Sequence, residues 1–275
     1  MPEEKLSADL EVSAAVHLAA IAAILVAIAF IGLRAGPPDR TRAWYLILLL
    51  MTAFVVIVGH AITGYWTGIL IDARNKMSLS RLQLLAWSLV ILSGLLTAVL
   101  TNIALGWEAP LSVSIPSELW VLMGISTASM VASPAVLGNK RDKPANPKEV
   151  SRTLRTLERQ GYKAGALDLQ GLLLGYASPD FSRWADLLKG EEAGNAATVD
   201  LGKLQMFFFT FVLVLGYGAA VATLFAQDGP VTALPAVQDG MNTLLGISHT
   251  GYLANKAISH SSTAEQPPPA EPPQP

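Results

Sequence analysis

Long apolar blocks separated by short polar stretches dominate this chain. A helix needs about 20 mostly apolar residues to cross the roughly 30 Å hydrocarbon layer of a bilayer. Six blocks reach or approach that length, and they span residues 12–33, 44–69, 82–105, 119–137, 204–225 and 237–257. The pattern predicts an all-α integral membrane protein with six transmembrane helices.

The first and last blocks need separate arguments. Acidic residues flank the first block, whereas a cleavable signal peptide requires basic residues there, so we interpret this block as a membrane span. Polar residues dilute the sixth block, and Asp239, Asn242 and His249 lie within it. We keep it as a span because neighbouring helices, rather than lipid, would satisfy those groups.

The distribution of basic residues predicts the orientation of the chain. With the amino terminus inside the cell, all Lys and Arg residues except Arg34, Arg40 and Arg42 fall on the cytoplasmic side. This agrees with the rule that short cytoplasmic loops are enriched in Lys and Arg. We therefore predict an inner-membrane protein with both termini in the cytoplasm.

An internal repeat indicates how the spans are arranged. Residues 78–83 recur as 200–205 and residues 122–126 recur as 244–248, both with an offset of 122. Spans three and four therefore repeat as spans five and six. An even number of crossings separates the copies, so they are parallel repeats related by an axis along the membrane normal.

The second span resembles a third copy, because Thr63-Gly64-Tyr65 aligns with Thr250-Gly251-Tyr252. Small residues recur on one face of the even-numbered spans, and such faces let membrane helices approach closely. We predict three helical hairpins with the even-numbered spans inside. The predicted packing residues are Gly59, Gly64, Gly124, Ala128, Gly246 and Gly251.

These arguments divide the chain into six segments. A cytoplasmic amino terminus (1–11) precedes the first and second hairpins (12–71 and 72–138). A cytoplasmic loop (139–202) with amphipathic helices at 147–160 and 180–188 precedes the third hairpin (203–258) and a disordered, proline-rich tail (259–275). We expect the loop to pack on the helix ends or on a partner.

Composition narrows the chemistry that this chain can perform. Hydrophobic residues make up 52% and charged residues 15%, which is too little polar surface for a soluble domain. A net charge of −2 gives no electrostatic basis for nucleic-acid binding. The absence of cysteine excludes thiolate catalysis and cysteine-ligated metals. We expect no cofactor, and no phosphate-binding or hydrolase motif is present.

Polar residues inside the apolar blocks are the candidate functional residues. Ionisable groups at membrane depth mark ion or substrate pathways by default, with hydrogen-bonded packing as the alternative role. The candidates for a polar core or path are His60, Thr63, Ser126, Ser129, Asn242, Ser248, His249 and Thr250. Acidic residues on the outer loops would form a cation-attracting mouth, although a positive-inside protein also leaves its acids outside; they are Glu108, Glu118, Asp228 and Asp239.

Three stretches, at 69–81, 200–210 and 246–256, are similar to a group of bacterial multi-span inner-membrane proteins of uncharacterised activity. The similarity covers most of the chain after the first span. It implies a bacterial source and lends no activity.

Two functions therefore remain open, with an embedded enzyme as a third. The first is a channel or small-solute transporter with a path between the even-numbered helices. The second is a non-transporting scaffold or signalling subunit. It would bind a membrane or cytoplasmic protein through residues 139–202, or form a homo-oligomer.

Overall fold

A computed structural model describes residues 2–263, with side chains from residue 13 onward except those of Ala164 and Asp239. The predicted tail from residue 264 lies outside the described residues. Seven α-helices occur in the described part: α1 Pro2–Arg34, α2 Arg40–Thr63, α3 Leu79–Ala104, α4 Ser117–Arg141, α5 Pro147–Arg159, α6 Leu201–Phe225 and α7 Asp239–Ala257. One hairpin of two antiparallel strands, β1 Leu167–Gln170 and β2 Leu173–Tyr176, lies between α5 and α6.

Five of these helices are long and apolar enough to cross a membrane. They are α1 (from Ser13), α2, α3, α4 and α6, which agree with the first five predicted spans. The sixth predicted block forms a helix, α7, but this helix is not apolar enough to be counted among the candidate membrane spans. The chain is thus a multi-pass membrane protein by the length and composition of its helices.

The helices begin where the sequence places good caps. The Ser78 side chain accepts a hydrogen bond from the Arg81 backbone N–H, and Asp200 accepts one from Lys203 in the same way. Such caps satisfy first-turn N–H groups that have no intrahelical partner. α3 and α6 start 122 residues apart, and so do α4 and α7, which is the offset of the sequence repeat.

Four helices, α3, α4, α6 and α7, pack around one another in a ring. α4 lies against α3 and α7, and α6 lies against the same two helices. α1 and α2 form a pair on the α3 side, where α2 also touches α6.

The prediction that all even-numbered spans lie inside is therefore wrong. α3 is the most buried of the five apolar helices, and α2 packs mainly on α1 and α3. The physical reason is that bulky residues such as Trp87 and Ile91 fill the space between helices, while small residues are tolerated on exposed faces.

The segment between α4 and α6 packs on one end of the bundle, which we call the loop end. α5 confirms the amphipathic helix predicted at 147–160. The helix predicted at 180–188 is wrong: two short 3-10 helices, Pro179–Phe181 and Trp184–Leu187, replace it. Its residues bend to follow the helix ends, and Leu187 packs against Leu79 and Met206 there.

Backbone contacts fasten this segment to the helix connections. The Tyr176 N–H donates to the Arg74 carbonyl (2.9 Å), and the Leu172 N–H donates to the Lys140 carbonyl (3.0 Å). The β1–β2 turn depends on Gly171, whose positive φ (61°) and contact with the Arg141 carbonyl leave no room for a side chain. The hairpin was not predicted, although a glycine between two apolar runs is a turn signal.

Candidate functional site: a buried charge cluster and a polar helix seam

Glu191 is the centre of a charge cluster at the loop end. Its carboxylate lies 2.9 Å from Lys203 Nζ, 3.0 Å from Lys256 Nζ and 3.3 Å from Arg74 Nη1. Glu191 Oε2 lies within ion-pair distance of Arg74 and Lys256, but neither contact has hydrogen-bond geometry. These three cations come from the α2–α3 connection, the start of α6 and the end of α7. One carboxylate therefore binds three separate parts of the chain.

Glu192 and Lys140 form a second buried pair beside the first. Lys140 Nζ donates to Glu192 (2.6 Å), to the Lys256 carbonyl (2.6 Å) and to the Ile258 carbonyl (2.7 Å). All three ammonium protons are thus used, two of them on carbonyls at the end of α7. Glu192 also accepts from the His260 backbone N–H (2.9 Å), which fixes the chain after α7.

The cluster lowers the pKa values of two of its carboxyl groups, Glu191 and Asp72. Burial raises the pKa of a carboxyl group, but the attraction of Arg74, Lys203 and Lys256 outweighs it. The pKa of Glu191 therefore lies well below its usual 4.5. Burial acts on Asp72 too, and its paired contact with Arg74 (2.7 Å and 3.2 Å) still lowers the pKa of Asp72. Both carboxylates stay ionised at neutral pH.

Lys76 is a buried cation at the edge of the cluster. Its Nζ donates to the Gly190 carbonyl (3.1 Å), and no carboxylate oxygen among the described residues lies within ion-pair distance of it. Burial lowers the pKa of Lys76 to about 8, and the positive charges of Lys203 and Arg74 add to this effect. A fraction of Lys76 is therefore neutral near physiological pH.

The buried face of α4 follows a spacing of three and four residues, as in a coiled coil. It consists of Leu119, Leu122, Ser126, Ser129, Ser133, Leu137 and Lys140. The facing residues of α7 have the same spacing: Asn242, Leu245, His249, Tyr252 and Lys256. We call this contact the α4–α7 seam.

Polar side chains fill the half of the seam that is nearer the loop end. Ser129 Oγ and His249 Nδ1 form a short hydrogen bond between the helices, which brings together two residues singled out in the sequence. Lys256 Nζ donates to Ser133 Oγ and to Tyr252 Oη, so the seam joins the Glu191 cluster.

Within the described part of the chain, several buried polar atoms in or beside the seam have no hydrogen-bond partner. They are Ser126 Oγ, Ser248 Oγ, His249 Nε2 and Asn242 Oδ1. Ser126 and Ser248 are equivalent positions of the sequence repeat. Buried polar atoms in proteins nearly always have a partner, so such a group of exceptions requires an explanation.

The other half of the seam is apolar. Leu119, Leu122 and Leu245 are fully buried there, and the Asn242 amide lies beyond them, 3.4 Å from the Glu118 carbonyl. We call these three leucines the leucine plug. In this conformation the polar half of the seam is closed by the plug on one side and by the charge cluster on the other.

The remaining predicted path residues lie elsewhere. His60 is in the last turn of α2, where its Nδ1 lies 2.9 Å from Nε2 of His17 and its ring stacks on Trp66. Thr63 donates to the Gly59 carbonyl in that same turn, and Thr250 is exposed. These three residues do not join the seam, because α2 packs on α1 and α3 and because Thr250 is on the outer face of α7.

The predicted packing glycines make few close contacts within the chain. Gly124, Ala128 and Gly251 are exposed, and a methyl group at Gly124 or Gly251 would meet nothing within 4 Å. At Gly246 the nearest atom would be Ile125 Cδ1, at 3.9 Å, which is ordinary contact. Serine and leucine therefore make the α4–α7 contact that we had assigned to these small residues.

The two other packing glycines lie at the end of α2. Gly59 lies tightly against Ile69, and Gly64 ends the helix with a positive φ of 76°. Both serve the local turn rather than contact with another even-numbered span.

The predicted acidic mouth is at the opposite end of the bundle. Glu108 and Asp228 are exposed there and Glu118 is partly exposed, whereas the Asp239 side chain lies outside the described residues. None of the six ion pairs found in the described part of the chain uses these carboxylates. Within that same part, no group of three or more His, Asp or Glu residues is placed to hold a metal ion.

Sequence reasoning missed the charge cluster. Lys140, Lys203 and Lys256 served there as evidence for orientation, and neither Glu191 nor Glu192 was among the candidate residues. The available signal was the adjacent pair of acids between α4 and α6, with Lys140 near the end of α4 and Lys203 near the start of α6, but pairing depends on tertiary contacts. Comparison with family models, curated proteins and solved structures found no match for this chain.

Proposed function

We propose that this integral membrane protein conducts protons, or another small cation, along the α4–α7 seam, and that the structure is its closed conformation. The observation that supports this proposal is the group of buried polar atoms between the leucine plug and the Glu191 cluster that have no partner among the described residues, namely Ser126 Oγ, Ser248 Oγ and His249 Nε2. Water molecules or a moving proton would satisfy those atoms in the conducting state.

The proposal places α7 in the membrane as a sixth span. Its large exposed side chains are apolar, with Leu244 and Ile247 at 50% and 63% exposure, while its buried ones include His249 and Lys256. That distribution is typical of a helix that faces lipid outside and polar neighbours inside. The excess of basic residues puts the loop end and both termini in the cytoplasm of a bacterial inner membrane. α3–α4 and α6–α7 are then two parallel copies of one hairpin.

His249 is the residue most suited to carry a proton in the seam. Its Nδ1 is hydrogen-bonded to Ser129, so its free Nε2 can accept and release a proton. Tyr252 and Lys256 follow on the same face, one and two turns nearer the loop end. The leucine plug would block conduction until it is hydrated, as hydrophobic constrictions do in channels.

Proton flux into proteoliposomes tests this proposal. The purified protein is reconstituted with a pH-sensitive dye inside, and a potassium gradient with valinomycin supplies the driving force. We expect proton entry above that of protein-free vesicles. His249→Ala should reduce the rate at least about tenfold, since a positioned proton carrier contributes that much or more. His60→Ala is the matched control, because His60 is in a span but outside the seam.

A second variant keeps the test decisive if the wild-type protein stays closed. Leu122→Ser replaces one residue of the leucine plug with a polar side chain and should raise proton flux. If neither the wild-type protein nor Leu122→Ser conducts, or if adding His249→Ala to whichever of them conducts leaves its flux unchanged, the pathway is wrong.

A scaffold role is the second candidate, and one observation favours it. The seam is closed at both ends, and the loop segment is rigidly fastened while Leu169 and Trp184 remain exposed on it. These side chains would contact a partner protein. Without flux in any variant, loss of a specific co-purifying partner in a Leu169→Ser/Trp184→Ala variant of the full chain would support this role.

A further inference from the structure

We propose that the cavity between the α2–α3 connection and the end of α4 binds a phosphoryl group, that of an anionic phospholipid. The cavity has a volume of about 270 Å³. Three arginines line it, Arg74, Arg81 and Arg141, with Asp72 as the acidic residue of its wall. This proposal is independent of conduction through the seam.

The positive charge of the cavity is only partly neutralised by the protein. Arg74 is almost completely buried and is committed to Asp72 and Glu191. Arg81 has only a long contact, 3.4 Å, to the Ile69 carbonyl, and neither Arg81 nor Arg141 forms an ion pair with a described residue. Two guanidinium groups therefore remain available, and paired guanidinium donors match phosphate oxygens well.

The rest of the wall fits the attached glycerol and the start of an acyl chain. Met130, Pro134 and Leu137 of α4 form its apolar side. Pro134 also lacks the N–H that would bond to the Met130 carbonyl, which leaves that carbonyl without its usual helical donor. Ser78 supplies a hydroxyl group at the amino-terminal end of α3, where helix geometry favours an anion.

The depth of the cavity selects a lipid rather than a soluble phosphate. α3 begins at Leu79 and α4 ends at Arg141, so the cavity lies where the apolar helices emerge from the hydrocarbon. Basic pockets between transmembrane helices at this level bind anionic head groups. An apolar wall below a cationic rim is the arrangement that a phospholipid requires and that inorganic phosphate does not.

The experiment measures lipid binding to the full chain in detergent by native mass spectrometry, with phosphatidylglycerol and phosphatidylcholine as competing probes. We expect wild type to prefer phosphatidylglycerol. Arg81→Gln/Arg141→Gln should lose that preference, by about tenfold for each charge-assisted contact. Arg152→Gln/Arg159→Gln is the matched control, since it removes the same charge from the exposed face of α5.

A second arm identifies the source of the phosphoryl group. If millimolar inorganic phosphate displaces phosphatidylglycerol from wild type, the site recognises the phosphoryl group itself and takes it from either source. If phosphate does not displace it, the apolar wall is required and the ligand is a lipid. Arg141→Gln alone alters one exposed side chain and keeps the test valid should the double variant fail to fold. Unchanged preference in both arginine variants, or equal loss in the α5 control, would overturn the proposal.

Discussion

Replacing Glu191 with glutamine is the sharpest test of the charge cluster. The change keeps the size of the side chain and removes its charge. Arg74 would retain Asp72 as a partner. Lys203 and Lys256 would lose the carboxylate that pairs with them, and no other carboxylate among the described residues lies within ion-pair distance of either lysine; Lys256 would keep its contact with Tyr252 Oη at 2.7 Å.

The expected cost follows from those contacts. Breaking a buried ion pair by removing one partner costs about 3–5 kcal/mol, because the other charge stays buried without compensation. Here two lysines are left in that state, so we expect the upper end, about 5 kcal/mol. Replacing Lys256 with methionine in the same chain removes one of the two orphaned charges and should recover part of the loss, as coupled residues do.

Thermal unfolding in detergent and limited proteolysis of the loop segment measure this effect. Glu191→Gln should lower the unfolding temperature and expose the segment to protease, whereas Glu158→Gln, an exposed residue of α5, should change neither. The stabilisation from Glu191 is present above its unfolded pKa near 4.5 and is lost as the pH falls below that value. The difference between wild type and Glu191→Gln should therefore shrink in acid. A difference below about 1 kcal/mol at neutral pH, comparable to an exposed ion pair, would refute this reasoning.

Three further changes test other parts of the structure. Between pH 8 and 10.5, Lys76 keeps its proton in the unfolded chain but releases it in the folded chain. The free energy of unfolding should therefore rise with pH in this range. Lys76→Met should abolish that rise, as measured by thermal unfolding. Gly194→Ala should lower the free energy of unfolding by about 1–3 kcal/mol, because the new methyl group would collide with the His260 carbonyl. The segment after α7 should loosen as a result, and increased protease cleavage near His260 measures this loosening. Asn102→Leu should lower the free energy of unfolding by about 2–3 kcal/mol, measured by thermal unfolding, since buried Asn102 donates to the Val231 carbonyl (2.8 Å) and accepts from the Val231 N–H (2.9 Å).

Local features of the sequence determined the helices of this protein. Length and apolar character are properties of contiguous residues, so five spans and the amphipathic α5 follow from the sequence alone. The caps at Ser78 and Asp200 are equally local, since each side chain bonds to a backbone N–H three residues away. The sequence also identified Ser129 and His249 as polar residues inside apolar blocks, and the structure joins them.

Only the tertiary structure decided which charges and faces meet. Glu192 is 52 residues from Lys140, and nothing in the intervening sequence specifies that they pair. The small-residue stripe at Gly124 failed as a packing prediction because small size permits close contact but does not require it. Burial of a whole charge cluster is possible only when several helix ends converge, since each charge needs the others to offset its desolvation. That convergence is a property of the packed bundle, and no single segment of the sequence contains it.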